Sequence, residues 1–444
     1  MTRLSVRVLR NGTRGAFLRH FSHPGRRGEI VTNESSGLQE YVSHRRAKGG
    51  GEGITRVLHA VRTHLQMDVA FISQFRGRER IFQHVDAGGH TPIRAGDSAP
   101  LEQGYCKRVV DGRLPELILD AARLPATACL PETRAIPIGS HLSVPIRLRD
   151  GRVYGTFCCF SFLPDHSLTE RDLQTMRAFA DLVADQIDQD LEVQRDRETR
   201  IQRLDDVMAL GQPTMVFQPI YDLTTRRMTG VEALSRFDSK PTRSPDLWFR
   251  DAATVGLGID LERRAVASAL KALQHIPTDT YVAVNASPDV IEAGVLHSLL
   301  RDVDARRLVL EITEHVSVAD YGRLSEELAP LRALGVKIAI DDAGAGYASM
   351  RHILSVEPDF IKLDMSLTRA IDKDRKRRAL ASALIAFAHE IRANIVAEGV
   401  ETAGELHTLC ELGVRTAQGY FLSRPKVLQD LPLSLTLPPV AAET

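Results

Sequence analysis

The carboxy-terminal half of the chain alternates short apolar runs with amphipathic segments, and this alternation limits the fold more than any other feature. Apolar strands separated by helical segments favour a sheet of parallel strands with crossover helices. There are eight runs, which is the number that a closed barrel needs. We therefore predict a (β/α)8 TIM-like barrel over residues 206–432. The runs are MVFQPIYDL, GVEALSRF, YVAVNAS, LVLEITE, VKIAIDDAG, DFIKLD, NIVAEGV and RTAQGYFLS.

The connection between the first two runs departs from this alternation. Only YDLTTRRMTG separates them, whereas a parallel crossover needs roughly a dozen residues or more. A hairpin is the natural solution, so we predict an antiparallel first strand. Folding the hairpin at Thr224 and Thr225 places Gln218 opposite Val231 and Glu232. The barrel is therefore expected to be irregular at its start.

Each strand-like run carries a polar residue near the same end. The carboxyl-terminal rim of a barrel is where such proteins carry out chemistry. One polar residue at a strand end is most often a structural partner, but eight in register indicate a site. These residues are Gln218, Glu232, Asn285, Glu311, Asp341, Lys362, Glu398 and Gln418.

Acidic residues dominate this rim. Ionised carboxylates a few ångströms apart raise one another's pKa, so a shared pocket requires a cation between them. Hard divalent ions such as Mg²⁺ and Mn²⁺ prefer oxygen ligands. The chain is therefore predicted to be a metal-dependent hydrolase of a phosphate-containing substrate. The acidic residues are Glu232, Glu311, Glu314, Asp341, Asp342, Glu398 and Glu401.

The preceding region, residues 54–190, has the pattern of a separate α+β domain. The segment ITRVLHAVRTHLQ is helical in pattern, several strand-like runs follow, and a long helix begins near Ser167 and Glu170, which have capping-box spacing. The ending SFLPDHSLTERDLQTMRAFADLVADQI and the stretch LEQGYC resemble a GAF domain. The resemblance implies a sensor of an unknown small-molecule ligand. A dimerisation element is the alternative.

The remaining segments are expected to be tails and connectors. Residues 1–53 are predicted to be a disordered basic tail with a glycine-rich linker, residues 191–205 a helical connector, and residues 433–444 a tail. Apolar positions from Met176 to Leu191 recur at a 3-4 spacing, which suits a helix pair in a homodimer. One helix packed on its own domain is the alternative.

Charge and cysteine content exclude several classes of protein. The formal net charge is zero, so no basic field for binding nucleic acid is expected. We find no apolar run of about 18 residues, so no membrane span is predicted.

The five cysteines lack metal-ligand spacing, which favours a reducing, cytoplasmic location. Cys158 and Cys159 lie in an apolar run and are predicted to be core residues rather than redox sensors. Cys106 in QGYCKR is the better candidate for reactivity.

At the barrel, one motif allows a family to be identified. Glu232-Ala233-Leu234, with Arg236 two residues on, resembles the signature of the EAL family, and the other rim motifs match its pattern in order. The resemblance implies a phosphodiesterase that opens cyclic di-GMP to linear pGpG with two Mg²⁺ or Mn²⁺ ions. The matching motifs are Asn285, Glu311-Ile312-Thr313-Glu314, Asp341-Asp342, Lys362-Leu363-Asp364, Glu398-Gly399-Val400-Glu401 and Gln418-Gly419-Tyr420.

The resemblance also implies a role for each residue. Lys362 would orient the attacking water, and Glu398 would be the general base and help to hold the second metal. Glu232, Asn285, Glu311 and Asp341 would hold the first metal, and Asp341 and Asp342 the second. Substrate contacts would fall on Gln218, Leu234, Arg236 and Gln418, with support from Glu314, Asp364 and Glu401.

One loop departs from the family pattern. Where the family usually reads Asp-Asp-Phe-Gly-Thr-Gly, this chain has Ala343 and Ala345 in place of the aromatic and hydroxyl residues. The departure predicts reduced or strongly regulated turnover. The alternative is a receptor that binds cyclic di-GMP without cleaving it. None of the expected metal ligands is missing, which favours the enzyme. No Gly-Gly-Asp/Glu-Glu-Phe stretch of a nucleotide cyclase is seen.

Overall fold

The computed structural model describes residues 51–240, 242–312, 321–343 and 353–431. The chain divides into two compact units at Asp190 and Leu191. Residues 1–50 of the predicted tail and linker 1–53 lie outside the described residues, and so do the predicted tail 433–444, Glu314 and Ala345. In the described part of the chain, no helix combines the length and the apolar character that crossing a bilayer requires.

The first unit is an α+β domain, as predicted. Its antiparallel sheet has the strand order β3-β2-β1-β6-β5-β4. The strands are β1 Val69–Arg76, β2 Glu79–Ala87, β3 Ser98–Pro100, β4 Leu117–Ile118, β5 Ser140–Arg147 and β6 Val153–Ser161. The helices are α1 Gly51–His64, α2 Tyr105–Val110, α3 Pro125–Ala128, α4 Pro131–Ala135 and the start of α5, Glu170–Ala209.

Two details of the first unit differ from expectation. Helix α1 begins at Gly51, inside the predicted linker, because Leu58, Val61 and other apolar residues at helical spacing bury one face of the helix. The capping pair at the start of α5 lies two residues beyond the predicted one: Asp172 accepts the backbone N–H and the hydroxyl of Thr169.

Helix α5 runs without interruption through the predicted connector. Met176, Val183 and Ile187 are buried within the chain itself, so their spacing is accounted for without a second copy. Towards its end, Leu204 and Val207 pack in one apolar cluster with Trp248 of the second unit, to which residues 191–209 belong.

The second unit is a closed barrel with the strand order β10-β11-β12-β13-β14-β7-β8-β9. Strand β7 is antiparallel to both of its neighbours, and the other pairings are parallel, so the predicted barrel with an antiparallel first strand is confirmed. The predicted hairpin register holds, since Gln218 pairs with Glu232. The strands are β7 Thr214–Asp222, β8 Arg227–Arg236, β9 Tyr281–Asn285, β10 Leu308–Ile312, β11 Lys337–Ala343, β12 Phe360–Leu363, β13 Asn394–Ala397 and β14 Thr416–Ala417.

Helices follow the strands of the second unit, as the alternating pattern predicts. Their apolar faces and the outward faces of the strands share one large buried core. The helices are α6 Pro245–Val255, α7 Gly258–Leu270, α8 Pro288–Glu292, α9 Leu296–Leu299, α10 Tyr321–Ala333, α11 Met365–Thr368, α12 Arg375–Glu390 and α13 Ala403–Glu411.

The inside of the barrel is layered. Ala283, Val309 and Ala339 form a small apolar layer, against which the rings of Tyr281 and Phe360 pack. Residues two positions apart on a strand share a face. The polar residues that follow this layer by two positions therefore belong to the interior, one layer closer to the carboxyl-terminal rim. They are Asn285, Glu311, Asp341 and Lys362.

Candidate active site

The ammonium group of Lys362 lies at the centre of the carboxyl-terminal end of the barrel. Its Nζ is 2.7 Å from Glu398, 2.9 Å from Glu311, 3.1 Å from Asp341 and 3.6 Å from Glu232. The Lys362 side chain is 2% exposed. We call these five side chains the Lys362 cluster. They come from five separate motifs, and the fold brings them together as the sequence pattern predicts.

Burial and crowding shift the titration of the cluster. Burial raises the pKa of Glu398 to about 8, opposed by Lys362 and assisted by Asp341 and Glu232. Burial also raises the pKa of Glu311 well above its ordinary range. For Lys362, burial alone would lower the pKa, but the surrounding carboxylates raise it well above the ordinary value. Lys362 therefore stays protonated, and one positive charge faces four acidic groups.

This imbalance predicts a pH dependence of stability. Without a divalent ion, we expect the free energy of unfolding to fall as the pH rises from about 4.5 to about 8. Glu398 has an ordinary pKa of 4.5 when unfolded and about 8 when folded. Between these values the folded state holds more protons, so rising pH favours unfolding, by at most about 1.4 kcal/mol per pH unit for one such group. Denaturant titrations in EDTA across this interval would measure the slope, and a rise in stability would contradict the assignment.

A β-bulge lets two adjacent aspartates serve one site. Neighbouring residues on a regular strand point to opposite faces. Between Ile340 and Ala343 the pairing of β11 with β12 slips, and Asp342 adopts a positive φ of 55°. As a result, carboxylate oxygens of Asp341, Asp342 and Glu398 lie within 4.8 Å of one another. The bulge thus adds Asp342 to the acidic groups at the rim.

The role of Asp342 can be tested with Asp342→Asn. Asparagine tolerates a positive φ, so the backbone of the bulge is kept while one charge is removed. We expect Mn²⁺ binding to weaken by about 10- to 100-fold, measured by titration calorimetry. Asp359→Asn is the matched control, because it removes a carboxylate from the start of a neighbouring strand. Equal affinity of Asp342→Asn and the wild type would exclude Asp342 from the metal site.

Gln418 joins two of the carboxylates. Its Nε2 donates to Glu232 at 2.6 Å and to Glu398 at 3.1 Å. Its Oε1 is buried and has no hydrogen-bond partner among the described residues. Gln218, opposite Glu232 across the hairpin, donates to the carbonyl of Ser423 at 3.2 Å. The structure thus places both predicted glutamines at the rim, and the side-chain oxygen of Gln418 is available to a ligand.

The other predicted substrate and metal residues lie further out. Asn285 is exposed at the end of β9, where it pairs in register with Glu311. Leu234 is half-buried, and Arg236 is exposed at the end of β8 with its guanidinium bonded to the carbonyl of Ser235. These residues surround the opening of the site and do not touch Lys362 in the described part of the chain. Their predicted roles stay predictions.

Supporting residues hold the loops that carry the site. Asp364 caps helix α11 directly after the strand of Lys362. Glu401 forms an ion pair with Arg369, at 3.0 Å from both of its oxygens. The hydroxyl of Thr368 donates to the carbonyl of Glu398. Lys362 and Glu398 are thus fixed through the backbone of two adjacent loops.

One supporting residue was not predicted. Glu405 is buried and accepts N–H bonds from Ala370, Glu401 and Thr402, which ties the loop after β13 to the loop after β12. The hydroxyl oxygen of Thr402 in turn accepts the backbone N–H of Glu405, which completes a capping box. The spacing Thr-x-x-Glu before an apolar segment is the signal that could have identified it.

The loop that departs from the family pattern is only partly described. Ala343 ends β11 and is fully buried in the barrel core. The following residues 344–352 lie outside the described residues. The prediction of weakened or regulated turnover therefore stays a prediction.

The donor set fits hard divalent cations. Lys362 offsets one of the negative charges of Glu232, Glu311, Asp341 and Glu398, and Asp342 adds another oxygen donor. A metal ion prefers such carboxylate and amide oxygens. The partnerless oxygen of Gln418 is a further donor of this type. A site rich in anionic oxygen with too little positive charge is suited to Mg²⁺ or Mn²⁺.

Comparison with known proteins assigns both units to families of known fold. The EAL domain family matches residues 201–425, and the GAF domain family matches residues 52–188. Both resemblances seen in the sequence are confirmed. The EAL match covers half of the chain.

Individual relatives are similar over about half of the chain. The cyclic di-GMP phosphodiesterase PA2567 of Pseudomonas aeruginosa is 32% identical over 234 residues, which are 49% of this chain and 39% of that protein. The probable cyclic di-GMP phosphodiesterase PdeD of Escherichia coli is 31% identical over 239 residues, which are 50% of this chain and 44% of that protein. This chain thus spans less than half of the length of either relative.

Among solved structures, one match covers most of the chain. The EAL enzyme Bd1971, in a form with bound cAMP and cyclic di-GMP, has a TM-score of 0.52 and 20% sequence identity. The match covers 82% of this chain and 92% of that chain. This likeness concerns the fold.

Proposed function

The chain belongs to the EAL domain family, and from that premise we propose that its barrel hydrolyses cyclic di-GMP to linear pGpG. The observation that carries this proposal is the Lys362 cluster, in which four carboxylates surround one buried ammonium group. Relatives named as cyclic di-GMP phosphodiesterases support the choice of substrate.

The reaction is attack of water on one phosphodiester. The water oxygen forms a bond to phosphorus, the opposite bond from phosphorus to the ribose oxygen breaks, and that oxygen leaves with a proton. We propose that Glu232, Asn285, Glu311, Asp341, Asp342 and Glu398 would hold two divalent ions, Mg²⁺ or Mn²⁺. When bound, these ions would offset charge on the phosphate and lower the pKa of the attacking water.

The residues of the chain supply the proton transfer and the orientation. Glu398 is the proposed general base that takes the proton of the attacking water. Burial raises its pKa to about 8 in the metal-free site, and the charge of bound cations would lower it and favour the carboxylate that accepts a proton. Lys362 donates hydrogen bonds towards the same place and stabilises negative charge that develops on the phosphate oxygens. The amide of Gln418, bonded to Glu398, keeps that carboxylate oriented.

Substrate would be held by residues around the opening. Arg236 lies exposed at the rim, where its planar fork can donate two parallel bonds to a phosphate. Gln218, Leu234 and Gln418 complete the proposed contacts. Glu314, Asp364 and Glu401 are proposed to support the loops.

The second candidate function is a receptor that binds cyclic di-GMP and passes the signal to a protein partner. The buried Ala343 favours this reading, because it stands where the family usually has an aromatic residue. The complete set of acidic residues in the Lys362 cluster favours the enzyme.

One incubation separates these functions. The purified full chain would be mixed with cyclic di-GMP and Mg²⁺ or Mn²⁺, and the nucleotides separated by chromatography. Formation of pGpG by the wild type, and its loss in Glu232→Gln, would support the phosphodiesterase. Intact nucleotide that binds the protein in equilibrium dialysis would identify a receptor. If the protein neither binds nor cleaves cyclic di-GMP, both functions are refuted.

We propose that the first unit regulates the activity of the barrel. We also propose that the protein is a homodimer and is located in the cytoplasm. The family match to GAF domains supports a sensor that takes a small-molecule ligand. Light scattering of the purified chain tests the dimer, and comparison of its turnover with that of residues 191–444 tests regulation. The five cysteines form no disulfide with one another, as a reducing compartment favours.

A further inference from the structure

Two cysteines meet in the core of the first unit. Cys106 lies on α2 and Cys158 on β6, and their Sγ atoms are 3.6 Å apart. Both side chains are buried, at 1% and 0% exposure. A disulfide has an S–S distance of about 2.05 Å, so the two sulfurs need to approach by about 1.5 Å. We call these two residues the thiol pair.

Polar and charged groups surround the thiol pair, although the core around it is apolar. Arg80 is 3% exposed, and its Nη1 donates to the Sγ of Cys106 at 3.0 Å. On the other side, Ser143 and Thr156 lie 3.1 Å and 3.2 Å from the Sγ of Cys158. Buried cysteines with a purely structural role lie in apolar surroundings and are inert. The thiol pair differs from them, because an arginine and two hydroxyl groups contact its sulfur atoms.

The arginine is built into the fold at this place. Arg80 also pairs with Glu132, whose other oxygen accepts the N–H of Tyr105 at 3.0 Å. A Cβ at Gly104 would come within 2.7 Å of the Arg80 guanidinium carbon, so the glycine before α2 makes room for this pair. The Nε of Arg80 is buried without a hydrogen-bond partner among the described residues.

The positive charge acts on one sulfur more than on the other. A hydrogen bond from Cys158, followed by the charge of Arg80, lowers the pKa of the Cys106 thiol to about 6 in spite of burial. Burial raises the pKa of the Cys158 thiol well above its ordinary value. The direction of these shifts favours a thiolate on Cys106 and a thiol on Cys158, which is the combination needed for attack and then resolution.

A cavity reaches the arginine from outside. It has a volume of about 380 Å³, and both Arg80 and Glu132 line it, together with Phe82 and Gln103. A molecule as small as hydrogen peroxide fits this space easily. Arg80 thus lines the cavity and also contacts the Sγ of Cys106.

We propose that Cys106 and Cys158 are a redox site, which hydrogen peroxide converts to a disulfide and which cellular thiols reduce again. The site lies in the first unit and does not depend on the function proposed for the barrel. Neither the spacing of the two cysteines in the sequence nor the family matches indicate it.

The reaction balances in two steps. The Cys106 thiolate attacks one peroxide oxygen, the O–O bond breaks, and the hydroxide that leaves takes a proton to become water. The Sγ of Cys158 then attacks the Cys106 sulfenic sulfur, the S–O bond breaks, and a second water leaves with the thiol proton. The two thiols lose two electrons, and the peroxide is reduced to two waters.

Oxidation of the thiol pair would change the lining of the cavity through Arg80. In the disulfide, Cys106 has no negative charge to offer Arg80, which keeps only Glu132 as an ionic partner. Oxidation at the thiol pair therefore alters the charge and position of a group that lines the cavity.

The test uses the full wild-type chain. It would be treated with hydrogen peroxide, alkylated while folded and again after unfolding, digested and examined by mass spectrometry. We expect free thiols to fall from five to three, a cross-linked peptide pair that contains Cys106 and Cys158, and full reversal by dithiothreitol. Retention of five thiols, or a cross-link only between other cysteines, would overturn the proposal.

Matched variants assign the steps. Cys159→Ala removes the adjacent buried cysteine and should leave the cross-link unchanged, whereas Cys158→Ala should stop oxidation at a sulfenic acid on Cys106 that dimedone traps. Arg80→Lys should slow disulfide formation several-fold. Labelling of the exposed Cys129 or Cys410 in place of Cys106 would contradict the assignment.

Discussion

Replacing Lys362 by methionine should destabilise the metal-free barrel by about 3–5 kcal/mol near neutral pH. Methionine keeps much of the volume but removes the one cation among four buried carboxylates. Breaking a buried ion pair by removal of one partner leaves uncompensated charge, and this has a cost of that size. Added Mn²⁺ should recover much of the loss, because it binds the folded state only. Denaturant titrations with EDTA and with Mn²⁺ would measure both effects.

Lys337→Met is the matched control for this experiment. Lys337 lies at the start of β11, is about half exposed, and is 3.7 Å from its partner Asp359. Exposed pairs contribute about 0–1 kcal/mol, so this variant should unfold nearly as the wild type does. If Lys362→Met in EDTA were as stable as Lys337→Met, the Lys362 cluster would not be held together by charge.

Changing Glu398 to glutamine should lower turnover of cyclic di-GMP by about 10²–10⁴-fold, the range for loss of a general base. Glutamine fills the same space and can still hydrogen-bond to Gln418, but it cannot accept a proton at neutral pH. Binding of the nucleotide should fall much less than turnover, because Glu398 itself is not one of the proposed substrate contacts and glutamine can still hydrogen-bond to Gln418. Rates of pGpG formation and equilibrium binding would be measured on the same preparations.

Glu401→Gln provides the comparison within the same motif. Glu401 is partly exposed and paired with Arg369, so its loss should disturb the loop and reduce turnover much less. Equal rates for the wild type and Glu398→Gln would remove Glu398 from the proton transfer, while a large loss of binding would make it a substrate contact instead.

Much of the barrel could be predicted from the sequence, because the patterns that indicate its strands and helices lie within short stretches of the chain. Apolar runs bounded by polar residues indicate strands, and the short connection YDLTTRRMTG admits only a hairpin between β7 and β8. The parallel pairing of the other strands is predicted by the helical segments between them, because such crossovers join parallel strands. The predicted end of the glycine-rich segment at residue 53 differs from the structure, because apolar residues further along α1 let that helix begin at Gly51.

The site was predictable in its composition but not in its arrangement. The chemistry of acidic strand ends is readable, whereas the central position of Lys362 depends on how far each side chain reaches into the barrel. The bulge at Asp342 arises from a one-residue slip between β11 and β12, for which the sequence carries no clear signal. The approach of Cys106 to Cys158 likewise results from tertiary packing between α2 and β6.

The antiparallel strand β7 has a consequence for synthesis on the ribosome. Its hairpin with β8 can form as soon as both strands emerge, since they are adjacent in the chain. Its other edge pairs Asp222 with Thr416 and Tyr221 with Ala417, and Phe217 bridges to Lys426. Contacts this distant along the chain make folding slow. Until the last strand is made, β7 has an unpaired edge, and such an edge is where wrong pairing between chains can begin.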